Sequence, residues 1–91
     1  MQQNESKNLQ FSKKFGKIIK KFRIKNTRLS VNKLAYSYEI SRGNLSKIEN
    51  GLVDCKLITA WKLAEALGMK PHELIKILES ELGEDFKFMD E

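Results

Sequence analysis

Apolar residues recur at steps of three and four along most of the chain, the spacing that is typical of amphipathic helices. The first such series alternates with lysines from residue 11 onwards and consists of Phe11, Phe15, Ile18, Ile19 and Phe22. This pattern predicts a first helix with a basic outer face. No segment shows the strict alternation of a half-buried strand, so the predicted fold class is all-α.

Helix boundary signals divide the rest of the chain into four further helices. Ser30 and Ser41 are placed to cap helices 2 and 3, and Gly51 supplies a left-handed stop for helix 3. Asp54 is expected to cap helix 4, and Pro71 fits the first turn of helix 5. In helix 4 the predicted buried stripe is Leu57, Ala60, Trp61, Ala64 and Leu67.

The length and composition of the chain indicate one small domain. It has 91 residues, of which 41% are hydrophobic and 32% are charged. We expect a flexible tail over residues 1–10, the folded domain over residues 11–82 and an acidic tail over residues 83–91. No run approaches the roughly 20 apolar residues that span a bilayer, and the N-terminus is unlike a secretory signal, so the expected location is the cytoplasm.

Charge is distributed unevenly between the two halves. Residues 1–47 carry twelve Lys and Arg against two acidic residues, whereas residues 48–91 carry five Lys against ten acidic residues. A basic half on a small domain is the footprint of a nucleic-acid binder, because neutralised phosphates release counterions. From charge alone, a merely solvated basic surface is an equal alternative.

Two short helices joined by a tight turn, over residues 30–40 and 41–50, have the geometry of a helix-turn-helix motif. The segments FGKIIKKFR, LSVNKLA, ISRGNLSKIENG and KLAEALGMKPHEL resemble the Cro/repressor-type (xenobiotic-response-element) DNA-binding family in order and spacing. The resemblance implies a compact five-helix, lambda-repressor-like domain whose helices 2 and 3 form the motif. It also implies a sequence-specific regulator of transcription, either a repressor or an autoregulating controller.

The outward side of helix 3 holds the candidate DNA-reading residues. Arginine can donate two hydrogen bonds to guanine and asparagine can pair with adenine, so Arg42 and Asn44 are the sharpest candidates. The full predicted base-reading set is Arg42, Gly43, Asn44, Ser46 and Lys47. The predicted phosphate contacts are Ser30, Lys33, Ser41 and Asn50, although Asn50 has the equal alternative of simply ending the helix.

The resemblance also implies one structural ion pair, and the sequence departs from the family pattern at three positions. Arg23 and Glu49 match a partly buried ion pair of the family, which we interpret as structural. Val31 stands where the family usually has Gln, and Glu39 stands where Gly is usual in the turn. Cys55 replaces a frequent Pro and is interpreted as a partly buried thiol rather than a redox sensor.

A single DNA-reading helix touches only a half-site, so we expect a homodimer on an inverted-repeat operator. Apolar residues of the C-terminal quarter exceed what a small core needs, and the alternative is that they only cover the core. The candidate dimer interface is Leu74, Ile75, Leu78, Leu82, Phe86 and Phe88. Lys7, Lys13 and Lys14 are better explained as part of a solvated tail than as an arm that follows DNA.

An enzyme is the first rival class, and the sequence argues against it. One histidine, His72, and one cysteine, Cys55, offer no paired nucleophile and base, so we expect no catalytic residues, no metal and no cofactor. The second rival is a protein-interaction module, such as an antitoxin-like component that binds a partner protein. Val31 and Glu39 favour that alternative because both weaken the expected DNA face.

Overall fold

Five α-helices form the computed structural model, which describes residues 6–89 of the chain. They are α1 (Lys7–Phe22), α2 (Val31–Ser37), α3 (Arg42–Glu49), α4 (Leu57–Ala66) and α5 (Pro71–Leu82), with a π-helical turn over Arg23–Thr27. No strand occurs among these described residues. The all-α prediction and its five helices are confirmed.

The first helix begins earlier than its apolar pattern predicts. Ser6 caps α1, its Oγ accepting a hydrogen bond of 3.1 Å from the backbone N–H of Leu9. Residues 7–10 of the expected flexible tail are therefore helical, and residues 1–5 of that tail lie outside the described residues. The local pattern misses this first turn because contacts with the C-terminal segment hold it: the ring centroids of Phe11 and Phe88 are 5.5 Å apart, and the Lys7 ammonium lies 5.1 Å from the Phe86 ring centroid.

A single apolar core joins all five helices. Its largest fully buried side chains come from every helix in turn and are Ile19, Leu34, Leu45, Ile48, Leu63 and Leu74. Helix α3 packs against both α1 and α2, and α5 packs against α1 and α4. The two buried α3 side chains thus fix the orientation of that helix within the domain.

Gly16 allows α1 and α3 to cross closely. A Cβ atom at this position would overlap the backbone carbonyl oxygens of Ile48 and Glu49. Glycine inside a helix costs about 1 kcal/mol relative to alanine, so its presence in the middle of α1 is explained by this contact. The last turn of α3 therefore lies directly on the backbone of α1.

The buried stripe of α4 differs from the prediction. Ala64 and Leu67 are buried as expected and Leu63 completes the stripe, but Leu57 is 76% exposed and Trp61 is 54% exposed. Apolar residues occur on more than one side of this helix, so the sequence pattern does not identify the core-facing side. The expected cap is also wrong, because α4 begins after Lys56 rather than after Asp54.

The predicted dimer interface on α5 needs correction for two residues. Leu74 and Leu78 are only 1% and 3% exposed, because both pack in the core of their own chain. They are unavailable to a second copy. Ile75 and Phe88 are about half exposed, and Leu82 and Phe86 are partly buried.

The turn between α2 and α3 retains its geometry without glycine. Glu39 adopts a left-handed conformation with φ of 54°. The Ile40 N–H donates to the Ala35 carbonyl at 2.9 Å, which closes the turn as a helix C-terminal motif. The Lys62 ammonium of α4 donates to the Glu39 carbonyl at 3.2 Å and ties the turn to the core.

We predict that Glu39→Gly stabilises the protein. The left-handed conformation costs a residue that has a Cβ about 1–2 kcal/mol, and glycine removes this cost. Part of the gain in stability is lost, because glycine raises the conformational entropy of the unfolded chain. The expected net effect is a Tm increase of about 4 °C in a thermal melt. Glu39→Ala is the matched control because it removes the same carboxylate and keeps the Cβ. Equal Tm values for the two variants would contradict the strain at this turn.

Candidate nucleic-acid interface

Helix α3 has one buried side and one side exposed to solvent. Leu45, Ile48 and Glu49 are buried, whereas the predicted base-reading residues Arg42, Gly43, Ser46 and Lys47 are exposed and Asn44 is partly exposed. The structure therefore brings the five predicted residues to the outward side and first turn of one helix. Their side chains offer the hydrogen-bond donors and acceptors that base edges require.

The two ends of α3 are fixed by local hydrogen bonds. Ser41 Oγ accepts from the Asn44 N–H at 3.2 Å at the start of the helix. At the end, Gly51 has φ of 71° and the Leu52 N–H donates to the Lys47 carbonyl at 2.9 Å. These bonds leave α3 with defined termini and little freedom to fray.

The predicted phosphate contacts lie at the beginning of α2 and at both ends of α3. Ser30 Oγ caps α2 by accepting from the Lys33 N–H at 3.2 Å, and both residues are exposed. Asn50 is exposed too, with its Nδ2 donating to the Ser46 carbonyl at 2.9 Å. Val31, where the family usually has Gln, packs against the core instead of offering a donor.

Arg23 and Glu49 form the predicted ion pair with two-point geometry. Arg23 Nε lies 2.7 Å from Glu49 Oε2, and Nη2 lies 3.0 Å from Oε1. Both residues are only 8% exposed, and the hydrogen bond to Glu49 raises the pKa of Arg23 above its ordinary value. Removing one partner from a buried pair of this kind costs about 3–5 kcal/mol, because the other charge is left without compensation.

Arg23 makes a third hydrogen bond that the sequence does not predict. Arg23 Nη1 donates to the Leu29 carbonyl at 2.8 Å, one residue before the cap of α2. Thr27 supports the same connection by donating through Oγ1 to the Arg23 carbonyl and accepting from the Leu29 N–H at 3.0 Å. A backbone carbonyl acceptor leaves no pattern in side-chain identity, so no sequence signal marked this contact.

Cys55 is partly buried, and its thiol is not activated as a nucleophile. Burial, and to a lesser degree the charge of Asp54, raises the pKa of Cys55 to about 11, so the thiol stays protonated at neutral pH. Within residues 6–89, no three His, Cys, Asp or Glu side chains come together to hold a metal ion. No helix in this range is long and apolar enough to cross a membrane.

Comparison with known proteins agrees with the geometry of α2 and α3. The sequence model of the Helix-turn-helix family, HTH_3, matches residues 19–74, which include both helices, the turn and the buried ion pair. The chain belongs to the helix-turn-helix family. It is a DNA-binding regulator of this type.

Two relatives of this helix-turn-helix protein are control proteins. It is 34% identical over 68 residues to the control protein C.MunI of Mycoplasma sp, covering 75% of this chain and 92% of the relative. It is 31% identical over 61 residues to the control protein C.BamHI of Bacillus amyloliquefaciens, covering 67% of this chain and 75% of the relative.

A solved structure shares the arrangement of the helices. The restriction-modification controller protein C.AhdI of Aeromonas hydrophila superimposes with a TM-score of 0.64 at 32% identity. The match covers 69% of this helix-turn-helix chain and 94% of C.AhdI. The compact helix-turn-helix fold expected from the sequence is thereby confirmed.

Proposed function

We propose that this protein binds double-stranded DNA sequence-specifically as a homodimer, with α3 in the major groove of each half-site. The observation that carries the proposal is the outward side of α3, where Arg42, Asn44 and Lys47 stand opposite a fully buried side. The exposed side of α3 carries no apolar side chain, and its polar groups match the donor and acceptor pattern of base edges.

The contacts divide into those that read bases and those that position the helix. Arg42 suits the two acceptors of guanine and Asn44 suits adenine, with Gly43, Ser46 and Lys47 completing the reading side. Ser30, Lys33, Ser41 and Asn50 bind phosphates and set the depth of α3 in the groove. The hydroxyls of both serines accept backbone N–H groups as caps and keep their own hydrogens for a phosphate oxygen.

The biological role we propose is that of a transcriptional controller without catalytic activity. Support comes from the relatives, which are control or controller proteins. The concentration of the protein and its dimerisation are the proposed regulating variables. DNA binding requires a location where DNA is present, in line with the expected cytoplasmic location.

The dimer contact we propose is an exposed apolar surface on α4. Leu57, Ile58 and Trp61 line one shallow groove with Lys62 and Glu65 at its edge, and Ile58 is 72% exposed. Contiguous exposed apolar groups of this kind mark interaction sites. A second copy is the partner that an inverted repeat requires, and this surface replaces the α5 interface that the apolar pattern favoured.

Selection from a random double-stranded DNA library tests the proposed function. We predict enrichment of an inverted repeat whose half-site centres are about 10 base pairs apart, because two α3 helices must enter the same side of the duplex. The wild-type protein is immobilised, bound sequences are amplified through several rounds, and the final pool is sequenced and titrated at several salt concentrations.

A pool without enrichment, combined with weak binding that disappears at moderate salt, would contradict sequence-specific recognition. The protein-interaction alternative would then take its place, and a partner protein would be sought.

Two matched variants test the dimer surface. Ile58→Asp on α4 is expected to weaken dimerisation by more than 100-fold, since it removes an isoleucine that the proposed contact buries, worth about 1.5–3 kcal/mol, and introduces a charge there. Ile75→Asp makes the same change on α5 and should leave the dimer intact. Sedimentation velocity over a range of concentrations measures both, and dissociation of the Ile75→Asp dimer alone would return the interface to α5.

A further inference from the structure

The outer surface of α1 is strongly basic. Six of the sixteen residues of this helix are lysines and none is acidic. The helix-turn-helix match begins at residue 19, so the N-terminal three turns of α1 lie outside it. The family match therefore gives no role to most of this charge.

The lysines are arranged on two sides of the helix. Successive residues of an α-helix are about 100° apart, so residues seven positions apart lie almost in line. Lys13 and Lys20 form one such pair, and Lys14 and Lys21 form a second pair about 100° further round. Each pair carries two positive charges at the same spacing, and the two pairs project from different sides of α1.

Lys13 and Lys20 are on the side that borders the end of α3. Gly16, between them, lies against the last carbonyls of α3, and a Cβ on Gly51 would be 2.8 Å from the Cα of Lys13. Lys13 is thus beside the exposed end of α3, next to the proposed phosphate contact Asn50. Both lysines of this pair are exposed.

Lys14 and Lys21 point towards the other neighbour of α1. Lys14 lines a groove with Leu82 of α5, which Lys13 also borders, and Lys21 lines a groove with Glu81 of the same helix. The ammonium of Lys21 also lies 5.6 Å from the ring centroid of Phe22. Gly16 marks the side of α1 that contacts α3, and Lys14 and Lys21 lie about 160° and 140° round the helix from it, so this second pair faces away from α3.

The N-terminal turns of α1 are held in place by the C-terminal segment. Phe86 and Phe88 pack around Phe11, with centroid distances of 6.4 and 5.5 Å, and Lys7 lies over the Phe86 ring at 5.1 Å. A helix end without such contacts frays in water. The aromatic contacts thus keep Lys13 on a fixed helix next to α3.

We propose that Lys13 and Lys20 form a second phosphate-binding row, which binds the DNA backbone where it passes the C-terminal end of α3. This inference rests on the proposed function and extends the contact surface from the motif to α1. A lysine ammonium attracts phosphodiester oxygens as a point charge, so the row adds affinity without base preference.

The test compares Lys13→Gln/Lys20→Gln with Lys14→Gln/Lys21→Gln. Glutamine keeps a similar helix propensity, and a thermal melt checks that both proteins are folded. For the first variant we expect the slope of log K against log salt to fall in magnitude by about 1.8, with equal weakening on specific and random duplexes. The second variant should retain the wild-type slope to within about half a unit, because its lysines face away from α3.

The outcomes separate this inference from the proposed function. Wild-type protein that binds no duplex sequence specifically overturns the proposed function itself. Wild-type protein that binds specifically, with an unchanged slope for Lys13→Gln/Lys20→Gln, overturns only the lysine row. Equal loss of slope in both double variants also overturns the lysine row, because binding would then depend on the net charge of the protein and not on where the lysines lie.

Discussion

The guanidinium of Arg23 is the point on which the helix-turn-helix arrangement depends. It reaches from the end of α1 to the carboxylate of Glu49 in the last turn of α3, and to the Leu29 carbonyl just before α2. One side chain therefore links the beginning of the motif to its end. Because both charges are buried, separating them would leave an uncompensated charge in the core.

The close crossing at Gly16 makes this arrangement possible. The absence of a side chain there lets the carbonyl end of α3 rest on the backbone of α1, within reach of Arg23. Leu45 and Ile48 then fill the core from the inner side of α3. With its inner side and both ends fixed, α3 presents its outer side as a rigid surface, which limits the entropy lost on binding DNA.

Much of this arrangement follows from local sequence signals. The caps at Ser30 and Ser41, the stop at Gly51 and the proline at residue 71 define the ends of helices by local chemistry, and the structure has them where they were expected. Helix ends of this kind depend only on neighbouring residues, so they can be predicted from a single sequence.

The features that the sequence did not reveal depend on distant parts of the chain. The extra first turn of α1 relies on Phe86 and Phe88, and the left-handed Glu39 is tied to the core by Lys62 of α4. Leu57 and Trp61, which line the exposed groove of α4, were expected in the core, because apolar spacing alone does not identify which of two apolar sides is covered. Tertiary contacts decided each of these points.

The proposal that α3 reads bases is tested most directly by titrating Arg42→Ala on the duplex that the wild-type protein selects and on a random duplex. Loss of a two-bond contact to guanine should weaken specific binding by about 1–3 kcal/mol and leave binding to the random duplex nearly unchanged. Lys33→Ala provides the contrast, since loss of a phosphate contact should weaken both equally. Equal losses on the two duplexes for Arg42→Ala would contradict base reading by α3.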